Sequence, residues 1–310
     1  MKNKIALLAL VSLCSATVAA FAADLNGTIT ASGAFAIYPT VVAWGDAFHK
    51  KHPQVRFDIS AGGAGKGAAD AIAGLVDIGM VSRDPDPSEI SKGIYPIYCL
   101  HDAVFPVVSD KNPALRALLR KGVKKRTFIS MYVTGKVTNW DEVAGTDIDK
   151  PVHLYTRSDS CGASASWAKY LGDKKQEDLK GVGVYGDPGL LETAKRDPLG
   201  ISYNNFSYVF DKNGKVVAGA RLVPIDSNEN GVADMDEIFI DREDAIRAIE
   251  NGRYPVTRKN YLFVKGKPTG LVKEFMKFIL SDEGTAVVNQ VQASLPVTKA
   301  ERVRILKDLD

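Results

Sequence analysis

A glycine-rich stretch, SAGGAGKG from Ser60 to Gly67, has the composition of the phosphate-binding loop found in nucleotide-binding proteins. That loop requires the pattern G-x-x-x-x-G-K-[ST], in which the last hydroxyl group binds Mg²⁺. Here Ser60 stands at the first glycine position and Gly67 at the hydroxyl position. The sequence therefore excludes an ATP-binding loop of this type. Main-chain N–H groups at the start of the following predicted helix can still form an anion site.

Three stretches share this richness in Gly, Ala and Ser, and each lies between a predicted strand and a predicted helix. They are residues 32–36, 60–67 and 157–164. In open α/β sheets, ligands bind beyond the carboxyl ends of the strands. We therefore expect the three turns to meet at one point, where Arg157 adds a positive charge. The alternative is that each is only a tight turn.

A second stretch, DSNENGVADMDE from Asp226 to Glu237, fits the calcium-loop pattern D-x-[DN]-x-[DN]-G-x₅-E at every fixed position. Gly231 would allow the sharp bend of such a loop. A strand-like segment precedes it instead of a helix, and two neutral asparagines lower its charge, so a solvated acidic loop is the alternative. We predict a structural calcium ion. Its predicted oxygen ligands are Asp226, Asn228, Asn230, the Val232 carbonyl, Asp234 and Glu237.

The N-terminus predicts export. Lys2 and Lys4 precede an apolar run from Ile5 to about Phe21, and Ala20-Phe21-Ala22 has the small-x-small pattern of a cleavage site. We assign residues 1–22 to a signal peptide cleaved near Ala22, with a periplasmic product. No later segment approaches the roughly 20 uninterrupted apolar residues that a bilayer requires.

Length and charge narrow the class of protein. Of the 310 residues, removal of 22 leaves 288, which favours two domains. The net charge is only +3 with 25% charged residues, and no basic stripe with interleaved aromatic residues occurs. Nucleic-acid binding is therefore unsupported. We expect a monomer.

Short predicted strands alternate with helical stretches along the chain, which is typical of α/β folds with mostly parallel sheets. Predicted strands include residues 28–30, 55–59, 103–109 and 261–265. Helices follow the first two of these strands. The strand at 103–109 could carry the chain from a first domain into a second.

On these residues, the sequence resembles the phosphate-binding proteins of the bacterial ABC phosphate importer, in the type 2 periplasmic binding superfamily. The resemblance rests on SGAFAIYP, SAGGAGKGAADAIAGLVDIGMVSR, RSDSCGAS, DPLGISYNNFSYVF and YPVTRKNYLFVKG, in the family's order. It implies two α/β lobes, each a mostly parallel sheet flanked by helices, joined by hinge strands that close over an oxyanion. The implied boundaries are 23–103 and 256–310 for lobe I, and 104–255 for lobe II.

The resemblance also implies a ligand site, with departures from the family's pattern. A threonine of the family falls on Ala34, a serine on Ala64, and a carboxylate on Ser82. In the second lobe, a serine and a threonine are replaced by Cys161 and Ala163. Main-chain N–H groups and the remaining polar side chains could compensate. The implied ligand positions are Ser32, Ala34, Phe35, Gly63, Ala64, Gly65, Ser82, Arg83, Arg157, Asp159, Cys161, Gly162 and Ala163.

Cys99 and Cys161 remain after removal of the signal peptide. They could form a disulfide, both could bind a thiol-seeking ligand, or Cys161 could be inert. Soft thiol ligands select soft partners. Our first hypothesis is arsenite held by both thiols, since the site looks like that of arsenite-sensing periplasmic relatives that report to a membrane sensor kinase. The alternative is phosphate or arsenate, delivered to the permease of an ABC importer.

An enzyme is the other class considered. Ser160, Cys161 and Asp159 lie beside Arg157 and could be drawn as a thiol catalyst, but the turn contains no histidine. His101 is the only candidate base, and nothing in the sequence positions it. We therefore expect a binding protein without catalytic activity.

Overall fold

The structure is a computed structural model that describes residues 25–310. The predicted signal peptide, residues 1–22, lies outside this range. Within residues 25–310, no helix combines the length and apolar character needed to cross a membrane.

The fold is α/β, and its described strands form one continuous ten-stranded sheet and one two-stranded sheet. Parallel pairs join β1 to β2 and β3 on one side, and β6 to β7 and β8 on the other. The strands are β1 Gly27–Gly33, β2 Val55–Ala61, β3 Ile78–Val81, β4 Ile94–Ser109, β5 Val123–Lys124, β6 His153–Arg157, β7 Val182–Val184, β8 Gly200–Asn205, β9 Ala220–Leu222, β10 Ile225–Asp226, β11 Thr257–Lys265 and β12 Leu295–Pro296.

Helices cover the sheet. Their apolar faces pack against it, and helix-breaking residues set where they end. In α1, Val41, Trp44 and Phe48 are buried on one face, and the helix ends one residue before His52-Pro53. The helices are α1 Tyr38–Lys51, α2 Ala64–Ala73, α3 Pro87–Ser91, α4 Leu115–Lys121, α5 Lys125–Ile129, α6 Trp140–Ala144, α7 Gly162–Tyr170, α8 Gly186–Arg196, α9 Phe206–Val209, α10 Arg242–Glu250, α11 Gly270–Ile279, α12 Asp282–Val291 and α13 Lys299–Leu309.

Strand β4 runs through both halves of the molecule. Its residues 94–103 pair antiparallel with β11, whereas 104–109 pair with β8 and β9. The strand order is β2-β1-β3-β11-β4-β8-β6-β7. The change of partners at Ala103/Val104 is the feature that we propose as the hinge. The boundaries 103/104 and 255/256 themselves stay predictions.

Two separate hydrophobic cores lie on either side of this change. One surrounds Trp44, Phe48 and Phe275, and belongs to the half built from both ends of the chain. The other surrounds Trp140 and Trp167. The predicted α/β fold with two lobes is thus confirmed, and we call the first half lobe I and the second lobe II.

Candidate functional site

The three glycine-containing turns lie at the carboxyl ends of β1, β2 and β6, and they come into contact across the two lobes. The Gly65 N–H at the start of α2 donates to the Ser160 carbonyl at 3.0 Å. A side chain at Gly63, whose φ is 91°, would lie 2.6 Å from the Asp159 carboxylate. Turns 60–67 and 157–164 therefore meet, as the sequence predicted.

The first turn completes this meeting point. The ring of Phe35 faces the Arg157 guanidinium, with 5.4 Å between the guanidinium carbon and the ring centroid. The Tyr208 hydroxyl of lobe II donates to the Phe35 carbonyl at 3.3 Å. Gly33, with φ at 134°, lets β1 approach β3 and α2 closely, since a Cβ there would lie 2.3 Å from the Met80 carbonyl and 2.8 Å from Gly67 Cα. All three turns thus surround one arginine.

Arg157 is buried, and its guanidinium is held by two carboxylates. Its Nε donates to Asp159 Oδ1 at 2.8 Å, and its Nη2 to Asp159 Oδ2 at 2.5 Å. Its Nη1 donates to Asp187 Oδ2 at 2.5 Å. Burial works against the charged form, but the charges of Asp187 and Asp159 raise the pKa of Arg157 above its usual value. The arginine is therefore a fixed, oriented cation.

A buried polar network connects this arginine to the point where β4 changes its strand partners. Asn205 donates to Asp187, and Arg258 donates to Asn205 and, through Nε at 3.1 Å, to Asp102. Asp102 and Arg258 lie on β4 and β11 beside the change of strand partners. Sequence reasoning missed these residues. YNNF and YPVTR supported the resemblance, but no local spacing links them to Asp187 in GDPG.

Helix α7 begins at the same point. Cys161 is its N-cap residue, and the Cys161 N–H donates to Gln176 Oε1 at 3.0 Å. A Cβ on Gly162 would lie only 2.0 Å from the Ser82 carbonyl of lobe I. Ala163 is buried beside it. The first turn of α7 supplies N–H groups that intrahelical bonds cannot satisfy, so it can donate to an anion.

Several of the other predicted ligand positions have hydrogen-bond partners within the protein. The Ser32 hydroxyl donates to Asp70 Oδ2 at 2.6 Å, and the Ala34 N–H to the Met80 carbonyl at 2.8 Å. Arg83 makes two bonds to Glu89, at 2.9 and 2.6 Å. Ala64 is the buried first residue of α2. Arg83, with Ser160 and Cys161, also lines an interlobe groove of about 1170 Å³.

The two cysteines are free thiols, so the disulfide hypothesis was wrong. Cys99 lies in the lobe I core and donates to the Asn260 carbonyl at 3.5 Å, whereas Cys161 lies in the lobe II core and contacts Ser164. Burial raises the pKa of both thiols. The structure places them in separate cores because the β4 segment containing Cys99 belongs to lobe I.

His101, the candidate base, lies apart from Cys161. It hydrogen-bonds the Tyr98 hydroxyl and lies 3.6 Å from Glu301 in lobe I. His101 is therefore not placed to act as a base for the Cys161 thiol in this structure.

The Asp226–Glu237 loop lies in lobe II, between β10 and α10. Asp226 Oδ2 accepts the Gly231 N–H at 2.8 Å, and Asn228 and Asn230 both donate to Asp234 Oδ2. Glu237 Oε1 accepts the Ser227 N–H at 2.6 Å. Val232 stays partly exposed. Among residues 25–310, no three His, Cys, Asp or Glu side chains are grouped closely enough to hold a metal ion. For a cation to bind, Asp226, Asp234 and Glu237 would have to move together, and amide and carbonyl oxygens would have to take part.

Comparison with known proteins agrees with this geometry. The PBP superfamily domain matches residues 19–283. The phosphate-binding protein PstS of Bacillus subtilis is 28% identical over 282 residues, which cover 90% of this chain and 84% of that protein. The protein SphX of Synechococcus elongatus is 25% identical over 83% of this chain and 74% of its own length.

A solved structure gives the same result. A phosphate ABC transporter substrate-binding protein of Clostridium perfringens, with bound phosphate, superposes with a TM-score of 0.72 at 25% identity and covers 88% of this chain and 100% of its own. The Bacillus subtilis relative is named as a phosphate-binding protein, and the Clostridium perfringens structure as a substrate-binding protein with bound phosphate. Both support the phosphate alternative better than the arsenite hypothesis. The chain belongs to the PBP superfamily, in its type 2 branch of two-lobed solute-binding proteins.

Proposed function

We propose that this protein binds inorganic phosphate, or the isosteric arsenate, between its lobes and delivers it to the permease of an ABC importer. The observation that carries this proposal is the buried Arg157, held where the turns of both lobes meet. The similarity to phosphate-binding proteins supports the choice of ligand. The predicted signal peptide supports export to the periplasm, where such a protein would meet its ligand.

The charges near Arg157 indicate how the anion would be recognised. Two carboxylates already pair with the guanidinium, so the site has no excess positive charge. Affinity must therefore come chiefly from neutral donors, such as the first-turn N–H groups of α2 and α7. We propose that main-chain N–H groups at Phe35, Ala64, Gly162 and Ala163 supply these donors, because Ser32, Ala34, Gly63 and Gly65 already donate to partners within the protein.

The same carboxylates favour an oxyanion that still carries a proton. Phosphate and arsenate have an O–H group near neutral pH that can donate to Asp159, whereas sulfate has none. A sulfate ion would bring an unsatisfied acceptor against a carboxylate, which costs about 1–3 kcal/mol or more. We expect the site to prefer phosphate and arsenate over sulfate.

Calorimetry on the purified protein tests the proposal with phosphate, arsenate, sulfate and arsenite as separate titrants. We expect phosphate and arsenate to bind, and sulfate to bind at least about 100-fold more weakly. Arg157→Gln should abolish binding, whereas Arg196→Gln, at an exposed surface pair, should leave the affinity unchanged. Circular dichroism checks that both variants fold. Phosphate binding that survives Arg157→Gln, or saturable binding of arsenite alone, would overturn the proposal.

A further inference from the structure

A second site lies in lobe II, away from Arg157. Asp226 is fully buried, and its Oδ1 atom has no hydrogen-bond partner among the residues that the structure describes. An unsatisfied carboxylate oxygen without contact with water is costly, because an ionised group loses its hydration. Its other oxygen, Oδ2, accepts the Gly231 N–H from within the loop. The carboxylate is therefore directed into the Asp226–Glu237 loop.

We infer that this loop binds a calcium ion, with Asp226 Oδ1 as its first ligand. The loop then offers Asn228, Asn230, the Val232 carbonyl, Asp234 and both oxygens of Glu237 at the spacing of a twelve-residue calcium loop. Six to eight oxygen ligands suit Ca²⁺, whereas Mg²⁺ requires a tighter octahedron and retains several waters.

The backbone of the loop already has the winding that such a site needs. Gly231 has φ at 84° and Glu229 at 59°, while Asn228 Oδ1 and Asn230 Oδ1 each accept an N–H two residues further on. These bonds hold the loop in a compact turn before any cation is considered. The ordering cost of binding is correspondingly lower.

Asp226, Asp234 and Glu237 bring three carboxyl groups to the loop. A divalent cation would satisfy the unpaired Asp226 oxygen. Lys124 lies 3.9 Å from Asp226 Oδ2 and donates to the Glu229 carbonyl, and neither contact involves Oδ1.

The loop is anchored at several points within lobe II. Asp226 ends β10, which pairs with β5, and the Ala233 N–H donates to the Arg120 carbonyl at 2.9 Å. Calcium would therefore fix the segment leading into α10 against α4 and β5, and stabilise lobe II without contacting the Arg157 site.

The test uses the purified protein, stripped with EGTA and desalted into phosphate-free buffer. Titration with CaCl₂ should give one saturable site with a Kd of about 0.1–1 mM, the range of extracellular calcium modules. Calcium should also raise the melting temperature. MgCl₂ should bind at least about tenfold more weakly.

Variants within the loop distinguish coordination of one calcium ion from non-specific attraction of counterions. Asp226→Asn and Glu237→Gln should each weaken calcium binding at least about tenfold. Asp236→Asn removes the same charge from a position that is not a ligand, and should change the affinity by less than about twofold. Glu237→Gln retains the test if Asp226→Asn fails to fold. Absence of saturable binding up to about 10 mM calcium, or equal losses in Asp236→Asn and Glu237→Gln, would overturn the inference.

Discussion

The Arg157 site and the Asp226–Glu237 loop use charge in opposite ways. At the first, the charge of a buried arginine is neutralised by Asp159 and Asp187, so a ligand must rely chiefly on neutral donors. At the second, Oδ1 of the buried Asp226 carboxylate has no hydrogen-bond partner among the described residues, so a bound cation would have to satisfy it. What each region can bind therefore depends on which groups the protein leaves without a partner, and not on the number of charged residues present.

Removal of the paired cation should have the largest effect. Arg157→Ala leaves Asp187 buried without the arginine, and we expect the free energy of unfolding to fall by about 3–5 kcal/mol. Urea denaturation measures this loss. The exposed control Arg196→Ala should cost less than about 0.5 kcal/mol. A loss below about 1 kcal/mol for Arg157→Ala would break the comparison, because the pair would then not be buried in solution.

Closure of the lobes over the Arg157 site can be blocked by one methyl group. In Gly162→Ala, the new Cβ would lie 2.0 Å from the Ser82 carbonyl across the lobe interface. We expect phosphate affinity to fall about 100-fold, or about 2.7 kcal/mol. Small-angle X-ray scattering should show a larger radius of gyration.

The matched control is Gly189→Ala, whose Cβ would meet only the Val184 side chain within lobe II, at 3.3 Å. It should leave both the phosphate affinity and the radius of gyration unchanged. If Gly162→Ala matches this control, the contact between the lobes does not contribute to binding.

The calcium affinity of the loop should depend on a nearby lysine that has no effect on phosphate binding at the Arg157 site. Lys124→Met removes the cation 3.9 Å from Asp226 Oδ2, so calcium affinity should rise about two- to fivefold while phosphate affinity stays constant. Calorimetry with each ligand measures both. Lys51→Met makes the same change of net charge in lobe I, where Lys51 pairs with Glu283, and should alter neither affinity. Equal effects of the two variants would indicate only long-range attraction.

Replacement of the thiol at the start of α7 should have the smallest effect. Serine is a favourable N-cap residue, so Cys161→Ser should change stability by less than about 1 kcal/mol. Phosphate affinity should stay within about threefold, because the ligand would be held by N–H groups and Arg157. A calorimetric loss above about tenfold would instead make the sulfur atom a ligand.

Much of the fold could be predicted because its signals are local. The apolar face of α1 lies within one helix, Pro53 follows two residues after its end, and the helix occupies the expected place. The length of β4 could not be predicted. The sequence predicted a strand at residues 103–109, but pairing with β11 and β12, which lie more than 150 residues later, extends it back to Ile94.

The candidate site divides in the same way. The meeting of the turns followed from the rule that ligands lie beyond the ends of parallel strands, and Arg157 stood in one of those turns. Asp187, Asn205 and Arg258 could not be placed, since their contacts exist only after three distant segments pack together. The separation of Cys99 from Cys161 was missed for the same reason: sequence shows which thiols exist but not which core each enters.

The uninterrupted course of β4 has a consequence for engineering. Ile94–Ser109 is one strand that pairs with lobe I at one end and with lobe II at the other. The lobes are therefore not joined by a loop at which one could be exchanged for another. A chimera joined at residue 103 would have to preserve the pleat and register of a single strand. A lobe expressed alone would present a severed edge with unpaired main-chain groups, prone to self-association.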